Sequence, residues 1–68
     1  MNLTEKQKLE IKRFYSELEV ESMDLSEIVE QTLDHLIDED IIDLSDDEDG
    51  DVYEQYNNIV WEFIEEFQ

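Results

Sequence analysis

Sixty-eight residues make at most one small domain, whose core contributes only about 3–5 kcal/mol. With no cysteine in the chain, disulfides, thiol chemistry and Cys-type zinc sites are excluded. Four Lys and Arg stand against 22 Asp and Glu, a net charge of −18, which disfavours anionic lipids and favours basic protein surfaces or cations as partners.

The hydrophobic share of 40% is too high for a disordered acidic tail, so a folded chain is expected. The opening Met1-Asn-Leu-Thr-Glu-Lys-Gln-Lys has no apolar signal-peptide core, and no run approaches the roughly 18 apolar residues of a membrane span. A cytoplasmic address, in a bacterial or phage-infected cell, and no membrane partner are therefore expected. There is no proline and Gly50 is the sole glycine, so tight β-turns are not signalled and helical periodicity dominates. The fold class predicted is all-α: one acidic helical domain over 1–68, a small antiparallel three-helix bundle with helices at about 5–19, 25–40 and 51–67.

The first helix starts at Thr4, whose hydroxyl caps while Gln7 reaches back three residues later, and its apolar stripe is Ile11, Phe14, Tyr15 and Leu18. It carries every basic residue: Lys6, Lys8, Lys12 and Arg13. Of the 22 acidic residues only Glu5 and Glu10 precede Arg13, leaving 20 after it with no cation among them.

The second helix begins near Asp24 or Ser26, with Leu25, Ile28, Val29, Leu33, Leu36 and Ile37 on one stripe. Glu27, Glu30, Asp34 and Asp38 follow at i, i+3, i+7 and i+11 on the other side, a row of carboxylates facing solvent. Ile41 rotates off the apolar stripe, which ends the helix near Asp40. The third helix begins after Ser45-Asp-Asp-Glu48, which has the spacing of a capping box, or after Gly50. Val52, Tyr56, Ile59, Val60, Phe63, Ile64 and Phe67 form its core face. Leu9 and Trp61 fall off these stripes; an exposed Trp would anchor an interface, whereas a wrapped one would only extend the core, and a homodimer burying either residue is a third arrangement.

Local site patterns are weak. Ser45 to Val52 partly follows an EF-hand calcium loop, with Asp47, Asp49 and Gly50 at its third, fifth and sixth positions. Ser45 at the first position and Tyr56 at the twelfth lack the ligands that complete the sphere. Asp24-Leu25-Ser26 shares residue types with the acyl carrier protein site but not its Asp-Ser-Leu order, so Ser26 is read as a helix cap. His35 is expected to make a local surface pair with Glu39. With no Lys or Arg after residue 13 to stabilise developing negative charge, an enzyme is not expected, and neither metal nor cofactor is assigned.

The charge distribution itself remains. Carboxylates three or four residues apart on a helix sit about 5–6 Å from one another, of the same order as the phosphate repeat of about 3.4 Å along each DNA strand. The row Glu27, Glu30, Asp34, Asp38 continues in sequence through Asp40, Asp43, Asp46, Asp47, Glu48, Asp49 and Asp51. In size, acidity and compactness the chain resembles the DNA-mimic proteins that phages and mobile elements direct against defence nucleases, CRISPR effectors, restriction enzymes and repair glycosylases. That resemblance implies a basic, nucleic-acid-binding protein as partner and no direct contact with nucleic acid. The alternative is a regulatory or adaptor domain that grips a basic partner through the acidic face plus an apolar anchor, for which Trp61 is the candidate.

Overall fold

The computed structural model describes residues 2–66; Phe67, placed by periodicity on the core face of the third helix, lies outside them. Helix α1 (Glu5–Glu17) starts where the sequence indicates. Thr4 is extended, its hydroxyl accepts the Gln7 N–H at 3.1 Å, and Gln7 Oε1 accepts the Thr4 N–H at 2.9 Å, so each satisfies an amide that the helix leaves open. The helix stops two residues short of the predicted 19: Leu18 is extended and serves as the C-cap. Glu17, Glu19 and Glu21 crowd the negative end of the helix dipole, with no cation in the last turn to offset them. A single 3₁₀ turn, Val20–Ser22, which periodicity did not signal, lays Val20 and Met23 against the core on the way to the next helix.

Helix α2 (Leu25–Asp38) is capped by Asp24, which accepts the Glu27 N–H at 2.9 Å, and Ser26 donates its hydroxyl to the same carboxylate at 3.0 Å. Asp24 is thus the cap and Ser26 its support, reversing the sequence assignment. The predicted end at Asp40 is also corrected. Glu39 is the C-cap and Asp40 has φ 57, the left-handed conformation. The Asp40 N–H donates to Ile37 O at 3.1 Å and the Ile41 N–H to Leu36 O at 2.9 Å, the two bonds of a Schellman closure. This closure turns the chain back and inserts Ile42, 2% exposed, into the core.

Asp at the left-handed position carries a strain of about 1–2 kcal/mol that glycine lacks. Its charge also faces the negative end of the α2 dipole, a further penalty of about 0.3–1 kcal/mol, whereas Gly adds unfolded-state entropy of about 0.5–1 kcal/mol. Asp40→Gly is therefore expected to stabilise by about 1 kcal/mol, raising the thermal midpoint by roughly 4–8 °C. Thermal unfolding followed by circular dichroism provides the check, and an unchanged or lower midpoint would contradict the strain.

Helix α3 (Asp51–Glu66) begins after Gly50, whose φ of 78 suits glycine. The predicted Ser45–Glu48 capping box does not form. Ser45 N–H donates instead to Asp43 Oδ1 at 2.9 Å, and the Asp47 carboxylate accepts the Val52 and Tyr53 N–H groups at 3.2 and 3.0 Å.

Among the described residues the architecture is all-α, a small antiparallel bundle, and no helix is long and apolar enough to cross a membrane. Contacts advance in opposite senses along α1 and α2, from Gln7–Ile41 to Glu10–His35. They advance in the same sense along α1 and α3, from Gln7–Tyr56 to Lys12–Phe63. Up-down-up order follows. Helix α2 is the spine: Ile28, Val29, Leu33 and Leu36 are at most 1% exposed, and the buried Thr32 returns its hydroxyl to Ile28 O at 2.7 Å. Helix α1 adds Ile11, α3 adds Val60 and Ile64, and Leu3 and Ile42, both outside the helices, complete the core. Gln7 links all three layers, since its amide NH₂ also donates to Ile41 O at 3.3 Å and lies 3.4 Å from the Tyr56 hydroxyl.

Candidate functional site

Burying Ile28, Val29, Leu33 and Leu36 on one side of α2 sends the opposite side to solvent. Glu27, Glu30, Asp34 and Asp38 are all exposed there. At 1.5 Å rise per residue the row spans about 16 Å. Its charge is not neutralised from within: Lys8 reaches Glu5 at 3.9 Å, Arg13 reaches Glu10 at 3.8 Å, and Lys12 lies 5.9 Å from the centre of the Phe63 ring. Among the described residues, no Lys or Arg forms an ion pair with the row.

The remaining carboxylates do not extend this row along the helix axis, because the chain reverses at Asp40. Asp40, Asp43, Asp46, Glu48, Asp49 and Asp51 are exposed at the corner between α2 and α3, while Asp47 is half-buried. Some of this acidity serves the fold. Asp47 caps α3, whose N-terminal dipole favours negative charge, and both its oxygens are engaged there. The Ser45 backbone N–H, with a further contribution from its hydroxyl, holds the Asp43 carboxyl below its ordinary value of 3.8. Among the described residues no three His, Asp or Glu side chains are grouped to hold a metal ion.

Two off-row side chains are placed differently from the sequence expectation. His35 does not pair with Glu39; its Nε2 lies 3.1 Å from Glu10 Oε1 on α1, and its ring stacks on Phe14 with centroids 4.3 Å apart and planes 12° from parallel. Helix α1 thereby meets the edge of the acidic row through an aromatic pair, a contact across 25 residues that local spacing cannot show. Trp61 is half-buried and packs against the core, whereas Leu9, 58% exposed, is the open apolar side chain of α1.

Crowded carboxylates set the expected response to salt and pH. Screening reduces their mutual repulsion, so raising salt from low to moderate concentration is expected to lift the unfolding midpoint by about 4–8 °C for each kcal/mol regained. Mild acidification acts the same way. Below that range the sign reverses, because Asp24, held below 3.8 by the Glu27 N–H and the Ser26 hydroxyl, and Asp43 are both depressed. Their stabilisation is present above 3.8 and is lost as pH falls through their still lower folded values. Stability should therefore peak at mildly acidic pH, and urea titrations across pH would expose a monotonic trend if this balance is wrong.

Compared with known proteins, the chain matches no protein family, no curated protein and no solved structure.

Proposed function

We propose that the protein is an acidic nucleic-acid mimic that inhibits a basic protein in the cytoplasm by occupying its nucleic-acid-binding groove, the target being of the kind represented by defence nucleases, CRISPR effectors and repair enzymes. The observation that carries this reading is the solvent-facing carboxylate row of α2, about 16 Å long, which no cation of its own chain neutralises among the described residues. Lys and Arg that grip phosphates accept carboxylates in the same charge-assisted geometry. The bundle's longest dimension, 34 Å, is about one turn of duplex DNA, of which the carboxylate row covers about half. Catalysis plays no part in this function.

The adaptor alternative depends on an apolar anchor. With Trp61 packed against the core, the exposed Leu9 of α1 and Tyr53 of α3 are left to supply one, and neither offers the area of an indole. Immobilised protein exposed to cell lysate at low salt should retain a basic nucleic-acid-binding protein that is released by salt and displaced by added DNA or RNA. Retention that resists high salt and is indifferent to nucleic acid would sink the mimic.

A further inference from the structure

We propose that the acidic face contains a receptor for one arginine side chain, a groove between α1 and α2 lined by Phe14, Gln31, Asp34, His35, Ile37 and Asp38. This rests on the partner being basic, as argued above, and adds that the partner is gripped by arginine in preference to lysine.

The groove, open to solvent, has a volume of about 500 Å³ and lies on the carboxylate row itself. Asp34 and Asp38, both exposed, are one helical turn apart along it. Carboxylates alone would accept any cation. What distinguishes this place is the wall, where the Phe14 and His35 rings, stacked near-parallel on one another, line the groove between the helices, and the contact of His35 Nε2 with Glu10 at 3.1 Å fixes the ring orientation. A guanidinium is planar and weakly hydrated, stacks on such a surface, and offers five N–H donors in a fork that fits a carboxylate bidentately. Gln31, exposed and also lining the groove, carries an amide oxygen able to accept a further N–H. An ammonium is compact and strongly hydrated and gains little from a flat wall. The chain's own arginine does not line the groove; Arg13 extends to Glu10 at 3.8 Å with its side chain 71% exposed.

The test is a titration of isotope-labelled protein with capped hexa-arginine and hexa-lysine peptides at low salt, followed by NMR. Hexa-arginine is expected to bind about ten-fold tighter, the scale of one partly desolvated cation–π contact. Its shifts should centre on the Phe14 and His35 rings and the Gln31 amide. Phe14→Leu, checked for folding by circular dichroism, should abolish the preference while leaving hexa-lysine affinity unchanged. Gln31→Ala, at an exposed position with no role in the core, should reduce the preference with folding intact. Equal affinities with shifts spread along the whole row would overturn the groove and leave the mimic standing. An arginine preference that persists in both variants would also overturn it. If neither peptide binds, the basic-partner reading fails with it.

Discussion

Neutralising Glu27, Glu30, Asp34 and Asp38 together, to Gln or Asn, is expected to weaken partner binding about 100-fold while leaving the protein folded. Each exposed charge pair contributes about 0.2–1 kcal/mol, so four amount to roughly 1–4 kcal/mol, and a factor of ten corresponds to about 1.4 kcal/mol. Folding should not suffer, because all four side chains are exposed and none has a basic partner among the described residues. Glu30–Asp34 and Asp34–Asp38 are like-charge pairs at i, i+4, each destabilising by about 0.2–0.5 kcal/mol, so the variant's midpoint should be equal or higher. The salt dependence of binding should flatten as well, since fewer charges meet across the interface. Affinity measured against salt for parent and variant reads both effects. If the variant binds like the parent while a folded variant carrying Leu9→Ala and Tyr53→Ala does not bind, the mimic has the wrong face and the adaptor replaces it.

Leu36→Ala is the substitution expected to unfold the chain at low salt. Leu36 is 0% exposed, and truncating a buried leucine costs about 2–5 kcal/mol, as much as the about 3–5 kcal/mol available to a core of this size. It also sits where the α2 closure is made, since its carbonyl accepts the N–H groups of Ile41 and Ile42 at 2.9 and 3.2 Å. The cavity would therefore loosen the turn that places Ile42. Far-UV circular dichroism at low salt should show loss of helix, partly recovered in moderate salt as carboxylate repulsion is screened. Retention of full helicity with a cooperative transition at low salt would mean that the bundle holds a larger reserve than the nine buried hydrophobic side chains among the described residues suggest.

What was legible in the sequence was local. The Thr4–Gln7 box, the α2 stripe and the exposure of its carboxylate row all follow from spacings within two or three turns of one helix. Features that join distant segments were not. Gln7 reads as half of a capping box, yet its amide also tethers Ile41 and Tyr56. Ile42 has no periodic partner, because a left-handed residue outside the helix swings it inward, and Asp is a rarer occupant of that position than Gly. Trp61 lies off the main stripe of α3 yet is half-buried against the core, so that helix buries a wider arc than one stripe. The Phe14–His35 stack depends on the crossing of α1 and α2, for which a single sequence carries no signal.

The confinement of every cation to α1 has a consequence for the moments before contact. Lys6, Lys8, Lys12 and Arg13 against Glu5 and Glu10 give residues 1–13 a charge of +2, and 20 acidic residues give the remainder −20, together −18. The centres of positive and negative charge are therefore displaced from one another. In the field of a basic groove the molecule experiences a torque as well as an attraction, and turns the face of α2 and its corner toward the target during approach. Rotational alignment of this kind raises the share of encounters that end in docking. At 0.1 M salt the Debye length is about 10 Å, well short of the molecule's 34 Å length, so alignment is confined to the last stretch of the approach.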